Sequence, residues 1–211
     1  GADATPATQT AYVQVVAPSS GTACDTLRNY NPVTEGSAAY ILQFSGWNDW
    51  GYFPGHGAYD DPPLYTITHW ADRYVASTTS EVRRLSIPVF EVTDQGAAGF
   101  VKVRVHTETA GSPSAAALVV DTMYFADLTQ GYWNDFDFTN PVSVTGAFWI
   151  SFEFFYVAPQ DTLILACVDF TDRGAGANTM KLRKNSAWFT PTTLYGANSS
   201  LYMDVMLSNG P

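Results

Sequence analysis

The stretch VTGAFWISFEFFYV, residues 144–157, limits the folds open to this chain more than any other. Its aromatic and β-branched residues favour an extended strand, in which successive side chains point to opposite faces. One face then carries Phe148, Ile150, Phe152, Phe154 and Tyr156. The other face carries Trp149, Ser151, Glu153 and Phe155. Because both faces hold large apolar side chains, the pattern predicts a strand that is covered on both sides.

The same alternation recurs along the chain and defines the predicted fold class. Residues 100–106, FVKVRVH, place Val101, Val103 and Val105 on one face and Lys102, Arg104 and His106 on the other. We expect the valine face to be buried and the basic face to be in solvent. Short strands separated by turn residues, with no helix of three periodic turns, predict an all-β, antiparallel β-sandwich that is jelly-roll-like.

The 211 residues are expected to form one sandwich domain, since all-β domains often reach this length. Residues 1–20 are predicted to be an N-terminal arm with a first strand, and residues 21–211 the domain itself. An unpaired strand of that arm could add to the sheet of a neighbouring copy. A homo-oligomer formed through the arm is therefore one predicted state.

Charge and composition argue against some partners. The chain carries 20 Asp and Glu against 10 Lys and Arg, a net charge of −10. Since this balance repels phosphates and anionic headgroups, we expect no nucleic-acid partner. Membrane insertion is not expected either, because no apolar run reaches the roughly 18 residues that span a bilayer. With 15% aromatic and 14% charged residues, the composition is typical of a rigid β-protein that is secreted or displayed at the cell surface.

Cys24 and Cys167 are the two cysteines of the chain. In an oxidising compartment the expectation is one disulfide, which would join the N-terminal segment to a late strand. The alternative is a pair of buried thiols. Neither cysteine has the spacing of a zinc site.

The segment GWNDWGYFPGHGAYDD, residues 46–61, is the candidate binding region. Flat aromatic faces suit sugar rings, and nearby amide, carboxylate and imidazole groups fix a ligand's orientation. The candidate ligand-binding residues are Trp47, Asn48, Asp49, Trp50, Tyr52, Phe53, His56 and Tyr59. The alternative is structural, because the glycines permit an irregular path and the rings would then cover one end of the sandwich.

Carboxylate pairs in turns are the candidate metal ligands. Asp60 and Asp61 precede two prolines, and Asp169 and Asp172 lie in VDFTDRG. Oxygen-rich turns of this kind can bind Ca²⁺, so calcium is the one cofactor that the sequence predicts. The alternative is that these aspartates accept hydrogen bonds from the turn backbone.

The chain is predicted not to be an enzyme. No GxSxG elbow accompanies the three histidines, so a serine triad is not indicated. A glycoside hydrolase would need two facing carboxylates. Glu153 is the candidate acid because it lies among aromatic residues, but it could equally pair with Arg83, Arg84 or Arg104.

Basic residues alternate in MKLRKN, residues 180–185. Lys181, Arg183 and Lys184 are expected to lie on a solvent face, or to guard a strand edge against pairing. They are not among the candidate site residues.

A set of segments carries a resemblance to known extracellular modules. They are residues 51–61, 141–156, 161–169, 186–190 and 200–210, from GYFPGHGAYDD to SLYMDVMLSNG. Their order resembles the β-sandwich modules that recur in large secreted, cell-surface proteins of Bacteroidetes. The resemblance implies an accessory, adhesion or carbohydrate-contacting unit, and it implies no shared catalytic residues.

Together these features predict a non-catalytic extracellular binding or adhesion module. Its expected partner is a glycan, contacted through the aromatic segment at residues 47–59, or a neighbouring protein domain. One alternative is a structural, self-assembling subunit of an extracellular surface structure. A second alternative is a glycoside hydrolase-like enzyme that uses Glu153.

Overall fold

The computed structural model describes residues 24–33, 42–46, 49–53, 67–96, 98–158, 161–168, 178–195 and 199–209. These ranges are largely extended, and a 3-10 turn at Phe125–Asp127 and the short helix α1 (Pro191–Tyr195) are their helical elements. The strands are β1 (Cys24–Arg28), β2 (Leu42–Gly46), β3 (Asp49–Phe53), β4 (Ile67–Thr93), β5 (Phe100–Thr109), β6 (Ser112–Tyr124), β7 (Trp133–Phe155), β8 (Thr162–Leu165), β9 (Lys181–Lys184), β10 (Ala187–Phe189) and β11 (Asp204–Asn209). The predicted arm at residues 1–20 lies outside the described residues.

The strands pair antiparallel throughout, in the order β1-β11-β4-β7-β5-β6. β9 pairs with the start of β4, β8 with its end, and β10 with β9. β2 and β3 form a separate hairpin. This arrangement confirms the predicted all-β, antiparallel, sandwich-like fold.

Two long strands, β4 and β7, connect the layers of the sandwich. Their register shifts between Ala76 and Ser80, opposite Gly146. Gly146 has a φ of +70°, a conformation that glycine adopts without steric cost. Because a bulge bends and twists a strand, the first half of β4 lies in the layer of β9 and the second half in the layer of β11.

Side chains from both layers meet in one apolar core. The two faces that the sequence predicted to be buried are buried: Val101, Val103 and Val105 in β5, and the alternate residues from Phe148 to Tyr156 in and after β7. Residues from β8 and β11 complete the core, including Leu163, Leu165 and Val205. The prediction that β7 is covered on both sides is also correct, because Trp149 on its opposite face is buried as well.

Strand register places the two cysteines opposite different residues near the end of the chain. Cys24 lies opposite Ser208, whereas Cys167 forms an isolated bridge with Leu201. The disulfide between them stays a prediction.

Candidate functional site

A row of five aligned residues crosses the outer face of the sheet. Trp188 pairs with Arg183, Arg183 with His69, His69 with Glu153, and Glu153 with Lys102. The row therefore runs across β10, β9, β4, β7 and β5. Directly opposite residues in neighbouring strands share a face, so these five side chains leave the sheet on the same side.

The next row on this face has small residues at its centre. Ala71 of β4 lies opposite Ser151 of β7, and Ser151 lies opposite Arg104 of β5. Small side chains at the centre of a sheet leave room above them, which the longer side chains around them can enclose.

Longer side chains on this face border a half-open cavity of about 390 Å³. We call it the sheet-face pocket and define it by His69, Arg104, His106, Glu153, Arg183 and Trp188. Residues 113–115 and 117 at the start of β6, with Val120 and Ser186, line the remainder of its wall. A cavity of this size is typical of small-molecule sites.

An ion pair crosses the pocket between β5 and β7. Arg104 Nη2 donates to Glu153 Oε2, and the two side chains are 16% and 23% exposed. Of the three arginines that the sequence offered as partners for Glu153, the structure selects Arg104. The second terminal nitrogen, Arg104 Nη1, is buried and has no hydrogen-bond partner in the described part of the chain.

Arg183 contributes a second donor of the same kind. Its Nε is buried without a hydrogen-bond partner among the residues that the structure describes. The sequence predicted residues 181–184 on a solvent face or a guarded edge, and this prediction is wrong. β9 is paired on both sides, by β4 and β10, and Lys184 is buried.

His69 is held in the pocket as a neutral imidazole. Its Nδ1 lies 2.8 Å from Thr68 Oγ1, and its Nε2 lies 3.9 Å from Glu153 Oε2. Burial lowers the pKa of His69 to about 4, although Glu153 acts in the opposite direction, and Arg104 and Arg183 lower it further. At neutral pH, His69 therefore adds hydrogen-bonding groups to the pocket and no charge.

His106 is also neutral and buried, which corrects the expectation that its face is in solvent. Its Nδ1 lies 2.9 Å from the Ser114 carbonyl oxygen and must donate to it, since a carbonyl only accepts. Nε2 then accepts from Ser151 Oγ at 2.9 Å. Burial lowers the pKa of His106, and Arg104 and Arg183 add to this effect. Ser151 is itself fully buried, so this pair does not present a nucleophile.

Trp188 forms an aromatic wall of the pocket. The residue is partly exposed, and its ring meets His69 edge-on at 5.8 Å between centroids. The β9–β10 turn holds it there, and that turn has positive φ at Asn185 and Ser186. Two consecutive residues with positive φ are the signature of a tight hairpin turn, which folds β10 and its tryptophan back beside β9.

The pocket face concentrates the basic residues of an acidic chain. Five of the ten Lys and Arg residues lie on it by register and alternation: Arg73, Lys102, Arg104, Lys181 and Arg183. They share the face with the carboxylates of Glu108 and Glu153. The local charge is therefore positive although the chain carries −10.

A second, more open cavity of about 360 Å³ lies farther along the same face, beside Arg73, Glu108, Trp149 and Lys181. Its polar groups contact one another. Arg73 pairs with Glu108, Trp149 Nε1 donates to Glu108 at 3.1 Å, and Lys181 Nζ donates to Ser112 Oγ at 2.7 Å. Because these donors already have acceptors, this cavity is the weaker candidate.

The aromatic segment at residues 46–61 is only partly described. Asp49, Trp50, Tyr52 and Phe53 lie in β3, whose backbone pairs with β2 from Leu42↔Phe53 to Gly46↔Asp49. The structural alternative expected an irregular path for this segment, and over residues 49–53 the backbone is instead a paired strand. Trp47, Asn48, His56 and Tyr59 lie outside the described residues, and ligand binding by the segment stays a prediction.

The predicted calcium ligands Asp60, Asp61, Asp169 and Asp172 also lie outside the described residues. Within the part of the chain that is described, no three His, Cys, Asp or Glu side chains are grouped as a metal site requires. Calcium binding stays a prediction. No helix in the described ranges is long and apolar enough to cross a membrane.

Comparisons with protein-family models, curated proteins and solved structures return no match to this chain. The function of the sheet-face pocket is therefore argued from its own geometry. Sequence reasoning singled out Glu153 and Arg104 but missed His69, Arg183 and Trp188 as site residues. Their common signal is strand alternation, which becomes informative only once the register of β9 against β4 is known.

Proposed function

We propose that this chain is a non-catalytic binding module of a secreted or cell-surface protein, and that the sheet-face pocket holds one sugar unit of a glycan. The observation that carries the proposal is a half-open cavity that combines an aromatic wall with several polar groups. Trp188 supplies the wall. Arg104, Arg183, Glu153 and His69 supply hydrogen-bond donors and acceptors.

This combination of groups suits a sugar ring. The C–H groups of a pyranose pack against an aromatic face, and its hydroxyls both donate and accept hydrogen bonds. Glu153 offers an acceptor and the two arginines offer donors, so the pocket can satisfy both roles of a hydroxyl group. A wholly apolar ligand would leave these buried polar groups without partners, which disfavours it.

Binding is favoured over glycoside hydrolysis by the number of carboxylates. Hydrolysis uses an acid and a second carboxylate on opposite sides of the scissile bond. Among the described residues that line the pocket, Glu153 is the one carboxylate, and Arg104 holds it in an ion pair. An ion-paired carboxylate suits recognition of hydroxyl groups better than proton donation.

The test is calorimetric titration with a panel of soluble oligosaccharides. We expect at least one to bind, and Trp188→Ala to weaken it about five- to thirtyfold, since a packed ring contributes roughly 1–2 kcal/mol. Trp133→Ala is the matched control, because Trp133 is an exposed tryptophan far along β7. Binding that survives Trp188→Ala but is lost in Trp50→Ala would return the site to residues 46–61.

A second candidate, a self-assembling structural subunit, is favoured by strand β6. It ends the strand order of the main sheet and exposes Leu118, Val120 and Tyr124. An exposed apolar edge strand can pair with another chain. Sedimentation velocity would then show a mass that rises with concentration, and Leu118→Lys would abolish the rise. A constant monomer mass across the concentration range would contradict this candidate.

A further inference from the structure

The sheet-face pocket retains two charged donors that the fold does not use. Arg104 Nη1 and Arg183 Nε are buried and have no acceptor among the described residues. Both residues line the same cavity. Buried polar groups in folded proteins are nearly always hydrogen-bonded, so an exception needs an explanation. Neither nitrogen is open to the cavity in the ligand-free protein, so an acceptor that arrives with a ligand reaches it once the guanidinium group turns towards the cavity.

The fixed charges of the pocket leave one positive charge unmatched. Arg104 and Glu153 neutralise each other as an ion pair. His69 and His106 are uncharged at neutral pH, because burial lowers the pKa of each imidazole. Arg183 therefore supplies the excess. One negative charge on a ligand would balance it.

A single negative charge fits this protein better than several. A phosphate monoester would bring about two negative charges beside the carboxylate of Glu153. A highly charged polymer would also be repelled by the chain's net charge of −10. A carboxylate or a sulfate ester has one charge, and its oxygens match the hydrogen-bond geometry of guanidinium groups.

The rest of the pocket favours a sugar over a peptide as the carrier of this charge. Trp188 offers an aromatic wall, and Glu153 offers an acceptor for a hydroxyl group. We infer that the bound sugar unit is a monoanionic acidic sugar, a uronic acid or a sulfated sugar, whose charged oxygens accept hydrogen bonds from the guanidinium groups of Arg104 and Arg183. This inference rests on the function proposed above and specifies its ligand.

The experiment compares matched pairs of sugars by NMR titration of the ¹⁵N-labelled protein. The pairs are the methyl glycosides of glucose and glucuronic acid, galactose and galacturonic acid, and mannose and mannuronic acid. A third arm uses the 6-sulfate of each neutral glycoside, so that a carboxylate is distinguished from a sulfate ester. We expect one acidic member to bind at least about tenfold more tightly than its neutral partner, as charge-assisted hydrogen bonds are the strong ones.

A variant pair locates the effect. Arg183→Gln should bring the ratio of acidic to neutral affinity close to one. Arg84→Gln should leave that ratio unchanged, because Arg84 lies on the other layer and contacts Asp135 and Asp137. Because the comparison of ligands in the wild-type protein needs no variant, the inference stays testable if Arg183→Gln does not fold.

The outcomes separate this inference from the proposed function. Equal binding of acidic and neutral sugars overturns the inference and leaves the function standing. No binding by any sugar overturns both. If N-acetyl-alanyl-alanine binds as tightly as the best acidic sugar, and its amide does not bind, the pocket recognises a free carboxylate and the sugar assignment is wrong.

Discussion

Two arginines of the sheet-face pocket differ in their contacts from two arginines of the opposite layer. In the layer of β1, β11 and the second half of β4, Arg84 contacts both Asp135 and Asp137 at 2.9 and 2.7 Å. Arg28 in the same layer makes a two-point contact with Asp204 at 2.6 and 2.8 Å. In the sheet-face pocket, Arg104 and Arg183 each keep a buried nitrogen that has no partner among the described residues, although Arg73 on the same face pairs with Glu108.

Exposure explains why this difference matters. Arg84 is 38% exposed, so water can replace any partner that it loses, and its ion pairs contribute little. Arg104 is 16% exposed, so its spare nitrogen cannot easily turn to water. Arginine is therefore a surface charge at position 84, whereas Arg104 keeps a buried donor that has no partner among the described residues. A ligand that brings an acceptor therefore gains a hydrogen bond from Arg104 that it would not gain from Arg84.

The largest expected effect is the loss of stability when a buried tryptophan beneath the pocket face is removed, compared with the loss for an exposed tryptophan. Trp149→Ala should lower the free energy of unfolding by about 3–5 kcal/mol, because a fully buried tryptophan leaves a large cavity. Trp133→Ala, at a position that is 46% exposed, should cost less than about 1 kcal/mol. Urea unfolding measures both. Equal losses of unfolding free energy in the two variants would contradict the difference in burial between Trp149 and Trp133.

The next effect is the response of His69 to pH. Its folded pKa of about 4 lies below the ordinary value of 6.5, so the unfolded chain binds the proton first. Stability should therefore fall as the pH drops from 6.5 to 4, by roughly 2–3 kcal/mol. His69→Gln should remove this loss in pH-dependent unfolding. A wild-type loss that persists in His69→Gln would assign the response to another group.

Asp72 should act in the opposite direction over the same range. It is fully buried and accepts hydrogen bonds from the Thr179 hydroxyl and from the Leu201 amide at 2.6 Å. Burial raises its pKa from 3.8 to about 6, so its contribution to stability falls as the pH rises from 3.8 through 6, by about 2 kcal/mol. Asp72→Asn removes this pH-dependent contribution, so the stability of the variant should fall more steeply than that of the wild type as the pH drops. An unchanged pH profile would contradict the raised pKa.

The smallest expected effect compares one ion pair from each layer. A double-mutant cycle on Arg104→Gln and Glu153→Gln should give a coupling of about 1–2 kcal/mol, since both groups are largely buried. The matched cycle on Arg84→Gln and Asp137→Asn should give no measurable coupling. Both cycles are read from urea unfolding. A larger coupling for the exposed pair would reverse the comparison.

The sequence predicts the strands and their buried faces well, because alternation is a local property. Val101, Val103 and Val105 lie inward as the pattern indicated, and so do Phe148 and Ile150. What covers the polar face is not local. His106 was expected in solvent, but it is buried beside the pocket, where Arg104 and residues from β6 enclose it.

The candidate site was missed because it depends on a long-range register. His69 and Arg183 are paired across two strands although more than a hundred residues separate them in the sequence. The sequence pattern of β9 does not specify its partner strand. Aromatic density drew the prediction to residues 46–61 instead. Density of rings reveals the chemistry that a chain could offer, whereas the pairing of strands decides which rings and charges share a cavity.

The most direct measurement is a crystal structure of the protein soaked with the methyl glycosides of glucuronic and galacturonic acid. We expect density for a sugar beside Trp188, with its acidic group against Arg104 and Arg183. Density at the β2–β3 hairpin with an empty sheet-face pocket would contradict it, and would place ligand binding in the aromatic segment that the sequence alone favoured.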